Sequence, residues 1–189
     1  MKVGIIGSGG REHALCHAIK NSNKVDQIYC IPGNAGTSSI AKNVDLDINN
    51  FELLKKFINE NVIDIIIVGP EKPLVDGIVD FLENNGIKVF GPNKLASKLE
   101  GSKISTKDLC KIYHIPTAGF GIFRCLENSL NLLNQCKFPI VVKADGLASG
   151  KGVYICETKE QSLGAVKEIF NGKFGNSDQV LIEEFLKGE

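Results

Sequence analysis

K-A-D-G-L-A-S-G-K-G, the stretch from Lys143 to Gly152, decides how the second part of this sequence folds. It lies between two β-branched runs, Pro139–Val142 and Val153–Cys156, which predict a strand before the loop and a returning strand after it. Glycine lets a backbone approach phosphate oxygens closely, and Lys143 and Lys151 add compact positive charge. The pattern favours a loop that covers a polyphosphate, and the alternative is a long hairpin with incidental lysines.

The loop differs from a Walker A motif. That motif places four residues between its first glycine and the pair Gly-Lys, and Ser or Thr follows the lysine. Here three residues separate Gly146 from Gly150, and Gly152 follows Lys151. The next segment also has the composition of a strand instead of a helix. We therefore expect nucleotide binding by a loop between strands.

The composition limits the classes of protein to consider. The 189 residues carry 22 basic and 22 acidic side chains, and this balance argues against generic binding to nucleic acid or to an anionic membrane. The six cysteines form no C-x-x-C pair and no zinc-ligand spacing, which is typical of reduced thiols in a cytoplasmic protein. The first strand is predicted to begin at Lys2, so we expect no signal or transit peptide. No apolar run is long enough to span a membrane.

The first part of the chain alternates between strand and helix patterns. In the segment Phe51–Asn61, for example, Leu54 and Ile58 repeat at helical spacing. Such alternation predicts an α/β fold with a doubly wound parallel sheet. The predicted strands are Lys2–Ile6, Gln27–Ile31, Asp64–Val68 and Ile87–Phe90, and the predicted helices are about Glu12–Asn21, Phe51–Asn61 and Pro73–Asn85.

Unusual polar residues follow the first three predicted strands. In a doubly wound sheet, ligands bind in the loops at the carboxyl ends of the strands. An abundance of turn-forming residues in such loops would explain their glycines and prolines, but it explains Arg11, Glu12 and Glu71 less well. We therefore expect a substrate-binding cleft on these loops. Its candidate residues are Gly9, Gly10, Arg11, Glu12, His13, Gly33, Asn34, Ala35, Gly36, Thr37, Gly69, Pro70, Glu71 and Pro73.

The first of these loops lacks a dinucleotide-binding fingerprint. The pattern G-x-G-x-x-G would need glycine where Glu12 stands, and the second strand ends in Ile31–Pro32 without an acidic residue to bind a ribose. A nicotinamide cofactor is therefore not expected, although the glycines still allow a helix start to bind a phosphate. His13 and His17 lie one helical turn apart, but no second ligand cluster accompanies them, so no metal site is predicted.

The pattern changes near Gly91–Gly101, where a domain boundary is expected. A predicted helix at Lys103–Tyr113 is followed by an irregular stretch and then by the strand, loop and returning strand. The last predicted strand, Gln179–Glu183, runs into a mixed acidic and apolar segment, with no later element to cover the opposite side of a nucleotide. We therefore expect the chain to be a fragment, or to lack the half that completes its active site. The remaining predicted helices are Leu126–Leu133 and Gln161–Phe170.

Eight short motifs run in order along the whole chain. They are G-S-G-G-R-E-H-A-L (Gly7–Leu15), P-G-N-A-G-T (Pro32–Thr37), I-V-G-P-E-K-P-L-V (Ile67–Val75), F-G-P (Phe90–Pro92), L-E-G-S-K (Leu99–Lys103), I-P-T-A (Ile115–Ala118), V-V-K-A-D-G-L-A-S-G-K-G-V (Val141–Val153) and I-E-E-F-L-K-G-E (Ile182–Glu189). Their combination closely resembles the amino-terminal part of the glycinamide ribonucleotide synthetase family, the phosphoribosylamine–glycine ligases of the ATP-grasp superfamily. The phosphate loop alone indicates only an ATP-grasp protein, and the first three motifs point to this ligase family.

This resemblance implies an enzyme of purine biosynthesis that joins glycine to 5-phosphoribosylamine and splits MgATP into ADP and phosphate. Phosphorylation converts the glycine carboxylate, a poor electrophile, into an acyl phosphate that the amine attacks. The resemblance also implies two domains. A Rossmann-like substrate domain is expected at residues 1–101, and a partial ATP-grasp domain, truncated at the adenine hinge, at residues 102–189.

The resemblance assigns nucleotide-binding roles in the second part. Lys103 and Lys143 correspond to lysines that contact phosphates, and Glu183–Leu186 correspond to the hinge that binds adenine through backbone groups. Taken alone, Lys103 reads as a solvated lysine at a helix start. The full set implied for ATP is Lys103, Lys143, Asp145, Gly146, Ser149, Gly150, Lys151, Gly152, Glu183, Glu184, Phe185, Leu186 and, near the ribose, Glu189.

The chain departs from the family in what it does not contain. The later segment with the magnesium ligands and the carboxy-terminal domain is missing, so Mg²⁺ is expected to bind outside these residues, and no catalytic residue is assigned. The expected partners are ATP, glycine, phosphoribosylamine and the missing carboxy-terminal portion, and the 189-residue chain is predicted to be inactive alone. Two alternatives stay open: another ATP-grasp ligase of purine synthesis, and a nucleotide-binding module without catalysis.

Overall fold

The computed structural model of the chain describes residues 1–148, 150–175 and 179–188. The chain divides into two compact units, Met1–Lys98 and Leu99–Glu189. The first contains a parallel sheet and the second an antiparallel sheet. In the part of the chain that the structure describes, no helix is long and apolar enough to cross a membrane.

The first unit is built on a five-stranded parallel sheet, which confirms the predicted α/β class. The strands lie in the order β3-β2-β1-β4-β5, and each pairs in parallel with its neighbours. Their bounds are β1 (Lys2–Gly7), β2 (Gln27–Pro32), β3 (Lys42–Asn43), β4 (Ile65–Val68) and β5 (Val89–Phe90). The helices are α1 (Gly10–Lys20), α2 (Phe51–Asn61), α3 (Glu71–Asp76) and α4 (Ile78–Asn84), and α5 (Lys94–Gly101) follows along the chain.

The central strand β1 explains why this sheet forms. Ile5 and Ile6 are both fully buried, although successive side chains of a strand point to opposite faces. Ile6 belongs to the cluster formed with α2 and α4, and Ile5 packs with Cys16 of α1 on the other face. Burying each isoleucine stabilises the fold by about 1.5–3 kcal/mol. Because β1 lies between β2 and β4, the strand order reverses there, and such a reversal opens a ligand crevice at the carboxyl ends of the strands.

The structure corrects one predicted helix of the first unit. The single helix predicted at Pro73–Asn85 is wrong, because Gly77 separates α3 from α4. Gly77 has a φ of 99°, in the left-handed region that favours glycine, and its N–H donates to the carbonyls of Pro73 and Leu74. Strand β3 and helix α5 were also not predicted. β3 has only two residues, and its pairing with β2 defines it.

The second unit contains a four-stranded antiparallel sheet in the order β6-β9-β7-β8. The strands are β6 (Phe120–Phe123), β7 (Ile140–Ala144), β8 (Val153–Cys156) and β9 (Val180–Glu184). The helices are α6 (Lys103–Ile112), α7 (Leu126–Leu133) and α8 (Lys159–Phe170). The strand–loop–strand prediction is confirmed, because β7 and β8 pair around the glycine-rich loop. The stretch after α6 was predicted to be irregular, which is wrong because it contains β6.

The two faces of this second sheet differ in character. One face packs against α7 and α8 through Ile140, Val142 and Ile182. The opposite face carries Val141, Lys143, Val153, Ile155, Leu181 and Glu183, since these residues are direct cross-strand partners. Leu181 and Glu183 are buried on that face, whereas Val153 is 46% exposed and Ile155 is 59% exposed. The strand β8 therefore leaves an uncovered apolar strip beside Lys143.

Candidate functional site

The loops at the carboxyl ends of β1 and β4 are joined by an ion pair. Arg11, at the start of α1, donates to Oε1 of Glu71 at 2.9 Å. The pKa of Glu71 lies below its ordinary value, first because the backbone N–H of Glu71 donates to the carboxylate and then because the Arg11 guanidinium lies beside it. Both side chains are partly solvated, at 64% and 38% exposure. The two predicted residues therefore lie together and offer one cation and one anion at the sheet edge.

Asn34 joins the loop after β2 to the loop after β1. Its side-chain Nδ2 donates to the carbonyls of Ser8 and Gly9 at 2.9 and 3.1 Å. Its Oδ1 accepts from the N–H groups of Gly36 and Thr37 at 2.8 and 3.0 Å. The amide of Asn34 is therefore fully occupied in holding the two loops together.

Glu12 lies beneath the first loop instead of on its surface. The residue is only 3% exposed, and its Oε2 accepts from the N–H of Gly9 at 2.6 Å. The other oxygen, Oε1, is buried without a hydrogen-bond partner among the described residues. A Cβ atom at Gly7, Gly9 or Gly69 would stand within 3 Å of this carboxylate. The three glycines thus make room for Glu12, which fixes the start of α1.

The remaining predicted residues of these loops occupy different environments. The His13 ring lies against Gly36, where a Cβ atom would be 2.6 Å from it. Gly33 has a φ of 78°, and a Cβ there would be 2.3 Å from Oδ1 of Asn43. Thr37 is fully buried. Gly10 and Ala35 are exposed, Pro70 precedes α3, and Pro73 is buried within it. The structure therefore brings the predicted loop residues to one sheet edge and leaves only some of them on the surface.

In the second unit, the predicted lysine of β7 contacts a buried carboxylate. Nζ of Lys143 donates to Oε2 of Glu183 at 2.7 Å. Glu183 is 6% exposed, and the side chain of Lys143 is 25% exposed. The other oxygen of Glu183 lies 3.3 Å from Nζ of Lys107, in an ion pair without hydrogen-bond geometry. A buried glutamate therefore holds two ammonium groups, one on β7 and one on α6.

The start of helix α6 is tied to the first residues of the glycine-rich loop. Ser102 caps the helix by accepting from Ser105 N–H, and its hydroxyl donates to the carboxylate of Asp145 at 3.0 Å. The Ile104 N–H donates to the same carboxylate at 3.2 Å. Nζ of Lys103 donates to the Gly146 carbonyl at 2.9 Å. The predicted residues Lys103, Asp145 and Gly146 are therefore brought together.

The loop itself is closed at its base by backbone bonds. The N–H of Ala144 donates to the Gly152 carbonyl at 2.8 Å, and the N–H of Lys151 donates to the Ala148 carbonyl at 2.9 Å. Gly146 and Gly150 have φ values of 85° and 76°, which only glycine adopts without strain. Lys151 is exposed. The predicted loop residue Ser149 lies outside the described residues.

The predicted hinge comprises the last two residues of β9 and the two residues that follow them. Glu184 accepts from the Gly119 N–H at 2.7 Å through Oε1 and so joins β9 to the start of β6. Phe185 is 36% exposed and Leu186 is 62% exposed. The predicted Glu189 lies outside the described residues. A cavity of about 580 Å³ near this end of the sheet is lined by residues that include Phe138, Glu184 and Phe185, and its lining includes neither Lys103 nor Lys143.

Reasoning from the sequence missed Lys107 and Ser102. Lys107 follows Lys103 by one helical turn, so the two share a face of α6, and this spacing was the available signal. Ser102 precedes the helix at the position that favours a capping residue. Among the described residues, no group of three or more His, Cys, Asp or Glu side chains is arranged to hold a metal ion.

Comparisons with known proteins identify relatives of both units. The family model of the phosphoribosylglycinamide synthetase N domain matches residues 1–100, and the model of the ATP-grasp (A) domain of the same synthetase matches residues 101–189. Proteins named phosphoribosylamine–glycine ligase from Clostridium acetobutylicum and Brucella melitensis are both 46% identical across 100% of this chain. These alignments cover 46% and 44% of the two relatives, so the chain spans about half of their length.

Solved structures agree with these matches. The phosphoribosylamine–glycine ligase of Thermotoga maritima superposes with a TM-score of 0.81 at 32% identity, over 100% of this chain and 45% of its own. The biotin carboxylase domain of a 2-oxoglutarate carboxylase from Hydrogenobacter thermophilus superposes with a TM-score of 0.79 at 20% identity, over 98% of this chain and 44% of its own. The second likeness indicates a common fold only.

Proposed function

The chain belongs to the phosphoribosylglycinamide synthetase family, and from this membership we propose that it contributes to an ATP-dependent ligase that joins glycine to 5-phosphoribosylamine. The products would be glycinamide ribonucleotide, ADP and phosphate, with a glycyl phosphate as intermediate, in purine biosynthesis. The proposed functional division is a substrate domain at residues 1–101 and a partial ATP-grasp domain at residues 102–189.

One observation supports ATP binding most directly: the lysines of α6 and β7 flank the start of the glycine-rich loop. Lys103 donates to the Gly146 carbonyl at 2.9 Å, and Lys143 lies at the end of the strand that leads into the loop. Gly146 and Gly150 keep the loop backbone open to close approach. The proposed role of these lysines is to bind the ATP phosphates, with the loop residues and Lys151 covering them.

The uncovered strip of the second sheet suits the purine. Val153 is the direct cross-strand partner of Lys143, and Val153 and Ile155 are both exposed. A flat aromatic base gains stability when it covers such apolar surface. The proposed adenine site is this strip together with the backbone groups of the hinge residues Glu183, Glu184, Phe185 and Leu186, and the proposed ribose contact is Glu189.

The first unit is proposed to bind the phosphoribosyl substrate. The start of α1, at Gly10, presents the backbone N–H groups of a first helical turn and the positive end of the helix dipole, which favour a phosphate. Arg11 and Glu71 add side chains that bind anionic and cationic groups respectively. Glu12, Asn34 and Thr37 are proposed to act by fixing the loops.

Magnesium is proposed as the cofactor that neutralises charge on the transferring phosphoryl group. Because the described residues contain no cluster of acidic or imidazole ligands, its ligands are proposed to lie outside them. This chain's own contribution is then the lysines, which offset phosphate charge, and the loop, which limits access of water to the acyl phosphate. The cytoplasmic location expected from the cysteine pattern remains a prediction.

The experiment that tests this function uses the full-length ligase. ADP formation should require both glycine and phosphoribosylamine, whereas the purified 189-residue chain should give no turnover. Lys143→Ala should weaken MgATP binding by about tenfold or more, because it removes a charged contact to phosphate. The matched control is Lys167→Ala, an exposed lysine on α8. Unchanged MgATP affinity in Lys143→Ala would contradict the assigned site, and ADP formation without glycine would contradict the ligase reaction.

A further inference from the structure

Lys107 is a buried lysine to which the proposed function assigns no role. It lies on α6, and the residue as a whole is only 8% exposed. Its Nζ donates to Oγ1 of Thr117 at 2.6 Å and to the carbonyl of Ala118 at 3.4 Å, and it lies 5.3 Å from the centroid of the Phe120 ring. Its charged partner is Glu183, at 3.3 Å. The ammonium group is therefore surrounded by acceptors, as a buried cation requires.

Lys107, Glu183 and Lys143 form a charge cluster, here called the lysine–glutamate triad. Each carboxylate oxygen of Glu183 faces one ammonium group, with Oε1 toward Lys107 and Oε2 toward Lys143. Two positive charges share one negative charge, so the triad carries one surplus positive charge. Burying unbalanced charge is costly. Such an arrangement is stabilised when an anion binds at the accessible member of the cluster.

Lys143 is the accessible member. Its side chain is 25% exposed, compared with 11% for Lys107 and 6% for Glu183. If Lys107 were absent, Glu183 and Lys143 would form a neutral pair, and the surplus charge at the loop would disappear. Lys107 also fixes the rotation of the carboxylate, because it occupies the oxygen that does not face Lys143.

We propose that Lys107 is a positioning residue, which acts through Glu183 to keep Lys143 oriented and only partly neutralised for a nucleotide polyphosphate. The inference rests on the proposed function, since it names a determinant of polyphosphate binding at the same site. The effect acts on charge, so it grows with the charge of the ligand. Adenosine, which lacks phosphates, should be insensitive to Lys107.

The test measures binding of MgATP and of adenosine to the full-length ligase and to three variants. Lys107→Met removes the charge and keeps the length of the side chain. Lys107→Met/Glu183→Gln removes one positive and one negative charge and so restores the surplus of the native triad. Lys111→Met, an exposed lysine one turn further along α6, is the matched control.

The expected results follow from the charge count. Lys107→Met should weaken MgATP binding at least about tenfold, because without the Lys107 charge Glu183 neutralises Lys143, the lysine proposed to bind phosphate. Its affinity for adenosine should change by less than about twofold. The double variant should recover MgATP affinity to within about threefold of the unsubstituted protein. Lys111→Met should have the same MgATP affinity as the unsubstituted protein.

Three outcomes would overturn the inference: unchanged MgATP affinity in Lys107→Met, equal weakening of MgATP and adenosine, or a double variant that is no better than Lys107→Met. If Lys107→Met does not fold, the double variant decides alone, since a loss of tenfold or more in its MgATP affinity contradicts the proposal. Failure of the unsubstituted protein to bind MgATP would refute the proposed function instead.

Discussion

Replacing Gly69 with alanine tests whether the buried Glu12 carboxylate sets the spacing of the first unit's loops. A Cβ atom at residue 69 would lie 1.9 Å from Oε1 of Glu12 and 2.7 Å from its Cδ. The carboxylate has little room to move aside, because a Cβ at Gly7 would already stand 2.6 Å from the same Cδ. Either the loop backbone shifts, or Glu12 gives up its hydrogen bond to Gly9.

The less costly of these two responses determines the loss of stability. Overpacking that forces backbone shifts costs about 1–3 kcal/mol, and loss of a helix N-terminal capping bond costs about 0.5–2 kcal/mol. We therefore expect Gly69→Ala to lower the free energy of unfolding of the first unit by about 1–2 kcal/mol. Glu12→Ala removes the same hydrogen bond and should cost a similar amount. With the carboxylate gone, the added methyl group has space, so Gly69→Ala should then cost almost nothing.

Urea unfolding followed by far-ultraviolet circular dichroism measures the four proteins of this cycle. Amide hydrogen exchange at Gly9 locates the change, because its N–H loses its acceptor in both variants without Glu12, and in Gly69→Ala only when Glu12 gives up that bond. The matched control is Gly10→Ala, since nothing lies within 4 Å of a Cβ atom at Gly10. It should leave stability unchanged or raise it slightly. An equal cost of Gly69→Ala with and without Glu12 would refute the reasoning.

Burial raises the pKa of the Cys16 thiol to about 12, so native alkylation at mildly alkaline pH should modify exposed Cys125 and spare Cys16 until unfolding; equal labelling in peptide mass spectra would contradict this. The same shift contributes stability that is complete below the ordinary pKa of 9.0 and is lost as the pH rises toward about 12, a decline in the melting temperature that Cys16→Ala should lessen. Gly164→Ala in α8 should stabilise the protein by about 0.4–1 kcal/mol and raise its melting temperature. Gly86→Ala should lower the melting temperature, because Gly86 has a φ of 75°. Melting temperatures that move in the same direction in both variants would refute the role of φ. Ser102→Ala should cost about 1–2 kcal/mol in urea unfolding, because a helix cap and a bond to the loop are lost together; no loss would mean that the cap is dispensable.

Much of the first unit could be predicted because its signals are local. The predicted strands Lys2–Ile6 and Gln27–Ile31 are apolar after their first residue, as buried parallel strands require, and the structure extends each by one residue. The break at Gly77 was missed because the apolar periodicity continues through it, and only the left-handed backbone reveals the interruption. The two-residue strand β3 has no pattern of its own, since its pairing with β2 defines it.

The site of the second unit was less predictable from residues alone. The glycine-rich loop carries a recognisable pattern and lies between two strands, as that pattern indicated, whereas Lys143, predicted in the loop, lies in β7. Lys107 carries no such pattern, because an isolated lysine on a predicted helix is expected to be exposed to water. Its meaning comes from Glu183, which is distant in sequence and adjacent only after β9 enters the sheet. Buried charge is thus a tertiary property, and local spacing gives only a hint of it.

The central position of β1 has a consequence during synthesis on the ribosome. β1 leaves the ribosome before both of its neighbours in the sheet, because β2 ends at Pro32 and β4 ends only at Val68. At about 5–20 residues per second, the strand that becomes the middle of the sheet waits several seconds without a partner on its second edge. Its apolar residues Ile5 and Ile6 are then open to chaperones or to other nascent chains. Slowing translation before Val68 should therefore lower the yield of native protein.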